Sequence, residues 1–158
     1  MGKIVLTRID DRLIHGQVTA ACLRAYPSDS IYVVDDQVAK NDFLKTVLKI
    51  TASSGIKVEA MTVNEALKIL KDENNKERIM IITKRPHAIV GLVKGGVKIG
   101  SINVGGMQPK AASTKRISKA VSVAKEDIDD FHFLAERGIK IEIRMVPTDI
   151  GVNLVKLI

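Results

Sequence analysis

The chain has 158 residues and contains very few cysteine and aromatic residues. Cys22 is its single cysteine, which excludes an internal disulfide or a cysteine metal cluster and is typical of a reducing compartment. Tryptophan is absent and aromatic residues make up 3% of the chain, so we expect a core of aliphatic side chains and Cys22 within it. Only four prolines occur, and the 46% of hydrophobic residues is typical of a globular protein.

Long apolar segments are also missing from the sequence. No apolar run approaches the ~20 residues that a helix needs to cross a bilayer. The N-terminus, MGKIVLTRIDDR, reaches acidic residues too early for a signal peptide. We therefore expect a cytoplasmic protein that is held at a membrane only through a partner.

Negative charge is the scarcer sign, because 25 Lys and Arg residues against 18 Asp and Glu residues give a net charge of +7. Such an excess favours acidic partners: nucleic acid, anionic lipid, phosphorylated ligands or an acidic protein surface. A nucleic-acid-binding module would need exposed aromatics for base stacking, and most of the few present lie in core-like patterns. A nucleotide-binding enzyme is disfavoured because neither GxxxxGKS nor GxGxxG occurs.

Short aliphatic runs alternate with helical patterns from one end of the chain to the other. The runs predict strands at residues 3–9, 30–34, 56–60, 78–82, 98–104, 116–123 and 139–145. Several are almost continuously apolar, as in parallel strands covered on both faces, whereas the alternation of the last run predicts an exposed edge strand. The order predicts one α/β domain over residues 1–158, with an open, mostly parallel seven-stranded sheet and helices on both faces.

Several helices carry start signals of their own. Thr62 and Glu65 have capping-box spacing, and Pro86 suits the first turn of another helix. The acidic segment 126–130 favours a helix N-terminus, and apolar residues after His15 recur at helical spacing. We therefore predict helices beginning near each of these positions.

Three turns after strands are rich in functional groups: residues 10–16, 83–86 and 103–107. In open parallel sheets, ligands bind beyond the carboxyl ends of the strands, at a point where the strand order switches. We therefore expect these turns to converge on one site.

The first of these turns surrounds His15 with two arginines and two aspartates, in the segment RIDDRLIHGQV. A neutral imidazole nitrogen is a nucleophile near pH 7. The predicted helix start at Gly16 offers N–H donors and partial positive charge to a phosphoryl group. Arg8 and Arg12 are candidate donors to phosphate oxygens. The turn therefore holds the parts that a phosphohistidine needs.

The other candidate groups are less specific. Asp10 or Asp11 is expected to hold the imidazole in one tautomer, with Asp10 the preferred candidate. Gly105 and Gly106 are candidates for wrapping an anion with backbone N–H groups, and Thr83 places a hydroxyl beside two cations. Ordinary ion pairs, turns and helix caps are the structural alternatives for these features.

The same residues resemble a known family. Residues 8–18 are similar to the phosphorylation-site signature of IIB subunits from the mannose/fructose/sorbose class of the bacterial phosphoenolpyruvate-dependent sugar phosphotransferase system. Five further segments are similar in the same order: VVDDQVA (33–39), INVGGM (102–107), ISKAVSV (117–123), EDIDDF (126–131) and GIKIEIRMVP (138–147). The likeness therefore covers essentially the whole chain.

The resemblance implies a protein-Nπ-phosphohistidine–sugar phosphotransferase. In the family, a IIA subunit phosphorylates the IIB histidine, here His15 at Nδ1, and the group then passes to a sugar held by the membrane subunits IIC and IID. The covalent intermediate implies no metal or organic cofactor, and no nucleic acid partner is expected. The family fold has an antiparallel edge strand, and its first strand lies between the fourth and fifth, which would bring His15, Thr83, Gly105 and Gly106 together. The sugar (mannose, fructose, sorbose or N-acetylgalactosamine) and a homodimer stay open.

Overall fold

The structure is a computed structural model that describes residues 2–52, 55–111 and 114–158. The strands are β1 (Lys3–Asp10), β2 (Ser30–Val34), β3 (Lys57–Met61), β4 (Arg78–Thr83), β5 (Ser101–Gly106), β6 (Lys115–Arg116), β7 (Ser122–Val123), β8 (Lys140–Ile143) and β9 (Val152–Asn153). The α-helices are α1 (Gly16–Ala25), α2 (Asp36–Ala39), α3 (Asp42–Thr51), α4 (Val63–Lys71), α5 (Pro86–Lys94) and α6 (Lys125–Glu136), and a 3-10 helix spans Leu154–Leu157.

A seven-stranded sheet with the order β3-β2-β4-β1-β5-β8-β9 forms the centre of the structure. All neighbouring strands are parallel except β8 and β9, which are antiparallel. The predicted fold class, a mostly parallel sheet with an antiparallel edge strand, is therefore confirmed. Strand β1 lies between β4 and β5, where Ile9 pairs with Thr83 and Asp10 pairs with Gly106.

Two strand predictions near the C-terminus are wrong in detail. Residues 116–123 add no strand to the main sheet, because Ile117 and Ser118 both bond the carbonyl of Val121 in a turn and the ends pair as the β6–β7 hairpin. Strand β8 is not the edge, since β9 pairs with it through Glu142 and Asn153. The alternation along β8 instead reflects burial on one face, and β9 is too short to carry a pattern of its own.

Helices cover both faces of the sheet, as predicted. Along β4, Ile79 and Ile81 join the core that holds the buried residues of α4, α5 and α6, while Met80 and Ile82 join the core beneath α1, α2 and α3. Cys22 lies in this second core and is 1% exposed, as expected. Each fully buried aliphatic side chain stabilises the fold by about 1.5–3 kcal/mol.

The helix starts follow the predicted signals. The Thr62 hydroxyl accepts from the Glu65 N–H at 3.1 Å, and the Glu65 carboxylate accepts from the Thr62 N–H, which completes the capping box. Pro86 occupies the first turn of α5, and α6 begins at Lys125, next to the acidic segment. Among the residues that the structure describes, no helix has both the length and the apolar character to cross a membrane.

Candidate functional site

The site is built where the neighbouring strands β4, β1 and β5 end side by side at one edge of the sheet. Asp10 is the last residue of β1 and is fully buried between the two flanking strands. The turn that follows is anchored by Leu13 and Ile14, which are both 5% exposed. Leu13 has a φ of 62°, a conformation that non-glycine residues rarely adopt, so the packing of this turn overrides a local strain.

The carboxylate of Asp10 accepts hydrogen bonds from three side chains. Its Oδ2 lies 3.0 Å from Nε2 of His15 and 3.2 Å from Nη2 of Arg8. Its Oδ1 accepts from Nε of Arg12 at 3.0 Å and from the backbone N–H of Arg12 at 3.1 Å. Burial by itself raises the pKa of Asp10, but the hydrogen bonds from Arg12 and His15 and the charge of Arg8 outweigh it and hold that pKa below its usual value. The buried carboxylate is therefore ionised near neutral pH.

The imidazole of His15 is oriented by this carboxylate. An ionised carboxylate only accepts hydrogen bonds, so the bond to Asp10 assigns the proton of the neutral ring to Nε2. The lone pair is then on Nδ1, and the described part of the chain offers no hydrogen-bond partner to this atom. The side chain is 25% exposed. Nδ1 of His15 is therefore available as a nucleophile.

His15 is also the residue before helix α1, and its side chain does not cap that helix. No acidic residue occurs in the first turn, so the N–H groups there are free to face an anion. Gly16 has a φ of +45°, which favours glycine, although a Cβ at this position would meet nothing within 4 Å. The backbone conformation, rather than space, therefore explains the glycine next to His15.

Arg8, predicted to bind phosphate, is buried and points away from the surface. It is 2% exposed, and it donates to the backbone carbonyls of Arg144 at 3.1 Å and Met145 at 2.7 Å as well as to Asp10. The guanidinium therefore joins the segment directly after β8 to Asp10. This placement favours a role in positioning the carboxylate, and phosphate contact by Arg8 stays a prediction.

Arg12 differs from Arg8 in exposure. Its side chain is 40% exposed, while Nε and Nη2 remain bonded to Asp10. The hydrogen bond to the Asp10 carboxylate has the largest effect on the pKa of Arg12 and raises it. Partial burial of the guanidinium acts in the opposite direction and is the smaller effect. Arg12 therefore presents a permanent positive charge beside His15 at the protein surface.

The glycine pair predicted as an anion-binding turn lies within strand β5, so the turn at residues 103–107 is wrong. A Cβ on Gly105 would lie 2.9 Å from Oδ2 of Asp10 and would also clash with the guanidinium of Arg8. A Cβ on Gly106 would lie 3.4 Å from Nη2 of Arg12. The two glycines let β5 pass close to these charged side chains. Their contact with phosphate stays a prediction.

Thr83, predicted as the first residue of the turn after the fourth strand, is the last residue of β4 and is fully buried. Its hydroxyl donates to the carbonyl of Arg85 at 3.0 Å, so it shapes the turn between β4 and α5. Thr83 therefore lies in the strand next to Asp10, but its hydroxyl is engaged within its own turn. A role in phosphate binding stays a prediction here as well.

A polar cleft of about 440 Å³ opens at the same edge of the sheet. It is lined by Asp11, Arg12, Asp35, Lys84, Arg85, Gln108 and Lys110. The turns after β2 and β5 contribute Asp35, Gln108 and Lys110, which no sequence motif singled out as site residues. Asp35 directly follows a predicted strand and lies in the segment VVDDQVA, whereas no local pattern marks Gln108 or Lys110 as a site residue.

Comparison with known proteins identifies the family. A family model described as "PTS system sorbose subfamily IIB component" matches residues 4–158. The chain belongs to this IIB family. It is 40% identical over 147 residues to the sorbose-specific EIIB component of Lacticaseibacillus casei, covering 92% of this chain and 89% of that protein. It is 35% identical to the fructose-specific EIIB component of Bacillus subtilis, covering 100% of this chain and 97% of that protein.

Solved structures of the IIB family share the fold. The crystal structure of the IIBSor domain of the sorbose permease from Klebsiella pneumoniae superposes with a TM-score of 0.94 at 33% identity, covering 98% of this chain and 95% of that one. The resemblance of residues 8–18 to IIB components of the phosphotransferase system is therefore confirmed, and this protein is a IIB component of sugar transport.

Proposed function

We propose that this IIB component is a phosphocarrier that accepts a phosphoryl group on Nδ1 of His15 from phosphorylated IIA. It then transfers the group to a sugar during uptake through IIC and IID. The observation that carries this proposal is the bond between Asp10 and Nε2 of His15, which leaves Nδ1 as the nucleophilic atom beside the first turn of α1. The reaction class is that of a protein-histidine–sugar phosphotransferase.

In the first step, the lone pair of Nδ1 attacks the phosphorus of the IIA phosphohistidine. The bond from phosphorus to the IIA nitrogen breaks as the bond to Nδ1 of His15 forms, in line with the leaving nitrogen. Nε2 keeps its proton, and the positive charge that develops on the ring lies 3.0 Å from the carboxylate of Asp10. The group travels covalently, so the step requires no cofactor.

In the second step, a sugar hydroxyl oxygen attacks the same phosphorus. The bond to Nδ1 breaks, its electron pair returns to the imidazole, and the hydroxyl proton leaves to water. Arg12 and the N–H groups of the first turn of α1 neutralise the phosphoryl oxygens. Arg12 is placed for this because its side chain is 40% exposed and already bonds to Asp10.

The partners and the location belong to the same proposal. A net charge of +7 favours docking to an acidic face of IIA. The mannose-specific EIIAB component of Escherichia coli K12 is 39% identical over 98% of this chain, which spans 48% of that protein, and its name joins the A and B functions. IIC, IID and a cytoplasmic location at the membrane follow from the family resemblance.

Phosphorylation from phosphoenolpyruvate tests the proposal. The wild-type chain is mixed with the general relay proteins, with and without the matching IIA, and its mass is measured. We expect a gain of one phosphoryl group only with IIA, lost in acid and stable in mild alkali, because protonation makes the phosphoramidate nitrogen a good leaving group. Sugar should remove the group only when IIC and IID membranes are present.

Two histidine variants locate the modified residue. His15→Ala should gain no mass, whereas His87→Ala should behave as wild type, because the His87 side chain is 88% exposed and pairs with Asp130 at the surface. An acid-stable modification, or one that maps to Thr83, His87 or Ser118 and persists in His15→Ala, would contradict the proposal.

A further inference from the structure

We propose that the cleft beside Arg12 is a binding site for a hexose phosphate. The inference rests on the proposed function, because transfer to a sugar hydroxyl produces a phosphate monoester of this class. It goes further by assigning a binding surface for that product to the IIB chain itself, apart from any sugar site in the membrane subunits.

The cleft has the size and the position of a small-molecule site. Its volume of about 440 Å³ lies within the roughly 300–1,000 Å³ that is usual for ligand pockets. Its walls come from the turns that follow β1, β2, β4 and β5, at the carboxyl edge of the sheet. Arg12 lines the cleft and also bonds the carboxylate that holds His15, so the cleft and the histidine share one cation.

The charge of the lining suits a phosphate monoester. Four cationic side chains and two acidic side chains line the cleft. Arg12, Arg85 and Lys110 also pair with carboxylates outside the lining, so Lys84 is the lining cation whose charge a ligand would balance. A phosphate monoester carries about −1.5 to −2 charges at pH 7. The Lys84 ammonium would offset part of the charge of such a ligand.

Among the cations that line the cleft, Lys84 is the one without an anionic partner in the described part of the chain. Arg85 bonds Asp127 at 3.2 Å and the carbonyl of Gln108, and Lys110 pairs with Glu126 at 3.6 Å. Lys84 is half-buried, and within residues 2–52, 55–111 and 114–158 no ion pair or hydrogen bond engages its ammonium group. A partly desolvated ammonium without a counter-ion is unfavourable, and a bound phosphate would supply that counter-ion.

Acceptors for sugar hydroxyls lie in the same cleft. Oδ2 of Asp11 accepts the N–H of Gln108, but Oδ1 of Asp11 is buried and has no hydrogen-bond partner in the described part of the chain. Asp35 uses Oδ1 to cap α2 at the N–H groups of Gln37 and Val38, both at 2.9 Å. A carboxylate oxygen that faces a ligand accepts hydroxyl donors, which a sugar has in number. Cations and carboxylates together therefore favour a sugar phosphate over a simple anion.

Binding to the unphosphorylated full chain tests the inference. Mannose 6-phosphate, fructose 1-phosphate and sorbose 1-phosphate are titrated by calorimetry and by amide NMR, beside inorganic phosphate and unmodified mannose. We expect at least one hexose phosphate to bind ten-fold or more tightly than phosphate and mannose. Amide shifts should concentrate at Lys84, Gln108 and Lys110.

Two variants separate the two halves of the site, and two further variants serve as controls. Lys84→Gln should weaken every phosphate-bearing ligand ten-fold or more, whereas Lys98→Gln, at the opposite edge of the sheet, should bind as wild type. Asp11→Asn should remove most of the preference for a hexose phosphate over inorganic phosphate, because the variant loses a carboxylate acceptor. His15→Ala should still bind, since His15 does not line the cleft.

The inference is overturned if no hexose phosphate binds more tightly than inorganic phosphate. It is also overturned if unmodified mannose binds as tightly as the hexose phosphates. Shifts that avoid the cleft residues, or equal affinities in Lys84→Gln and Lys98→Gln, overturn it too. Failure of the phosphocarrier proposal looks different, because His15 would then accept no phosphoryl group from IIA whatever the affinity of the resting chain for sugar phosphates.

Discussion

Asp10→Asn replaces the central carboxylate of the site by a group of nearly the same shape. Asp10 is fully buried and accepts from Arg8, Arg12 and His15, with two oxygens that serve only as acceptors. The amide of asparagine keeps one oxygen and adds an NH₂ donor. The variant therefore leaves the buried guanidinium of Arg8 and the partly exposed guanidinium of Arg12 with too few acceptors, while changing little else in the packing.

The loss of stability follows from the buried ion pair between Asp10 and Arg8. Removing one partner of such a pair destabilises a protein by about 3–5 kcal/mol. For a chain of this length, that corresponds to a drop in Tm of roughly 6–20 °C. Because the pKa of Asp10 is lowered on folding, its stabilisation is present above the ordinary value of 3.8 and is lost as the pH falls through the lowered pKa. The difference between wild type and variant should therefore be largest near pH 7 and should shrink in acid.

The effect on phosphoryl acceptance has a separate cause. An amide NH₂ beside Nε2 donates to that atom, so the neutral ring of His15 carries its proton on Nδ1, where the nucleophilic lone pair is needed. We expect the rate of transfer from phosphorylated IIA to fall roughly 10²- to 10⁴-fold. Rapid-quench phosphorylation measures this rate at a temperature where circular dichroism shows the variant to be folded.

Asp29→Asn is a matched control for Asp10→Asn. Asp29 also pairs with an arginine, Arg78, at 3.0 Å, but both side chains lie at the surface, 44% and 51% exposed. Exposed ion pairs contribute little to stability, so this variant should have nearly the wild-type free energy of unfolding. It should also accept the phosphoryl group at nearly the wild-type rate. An Asp10→Asn protein that unfolds at the wild-type denaturant concentration and is phosphorylated at the wild-type rate would refute the reasoning.

The remaining predictions concern His15, the arginines and one glycine. His15→Ala should unfold cooperatively near the wild-type Tm yet gain no phosphoryl mass; loss of cooperative unfolding would mean a structural role. Arg12→Ala should slow phosphorylation more than Arg8→Ala, whereas Arg8→Ala should lower the free energy of unfolding more, by about 3 kcal/mol or more, because its buried guanidinium holds Asp10. Equal rates and equal denaturant midpoints in both variants would contradict this division. Gly105→Ala should lower stability by about 1–3 kcal/mol through a clash with Arg8, while Gly100→Ala, where a Cβ meets nothing within 4 Å, should unfold as wild type in thermal melts.

Local patterns in the sequence predicted most of the helices and strands of the fold. The continuous apolar run of β4 is buried on both faces of the sheet, and the Thr62–Glu65 capping box begins α4 as predicted. Such signals depend on residues close together in the chain, which is why they can be interpreted without the tertiary structure. The strand of residues 116–123 failed because its apolar residues pack into the core from a turn and a short hairpin, which the same composition does not distinguish from a strand.

Long-range contacts decided what local patterns left open. The local sequence around Gly105 and Gly106 predicts a turn. In the structure both glycines belong to strand β5, which passes close to Arg8 and Asp10, about a hundred positions away in the sequence. An arginine next to a histidine turn is a typical phosphate-binding residue, yet the guanidinium of Arg8 donates to the backbone carbonyls of Arg144 and Met145, which are 136 and 137 residues away in the sequence. A single sequence contains no measure of these distances.

The sequence by itself determined that His15 precedes a helix, within a segment of two arginines and two aspartates. It restricted the partner of His15 to Asp10 or Asp11, and the tertiary structure decided between them. Asp10, as the last residue of β1, is turned toward the His15 ring, whereas Asp11 turns toward the end of β5 and accepts the N–H of Gln108. The physical reason is that successive side chains at a strand end point in different directions, and only the neighbouring strands decide which direction meets the imidazole.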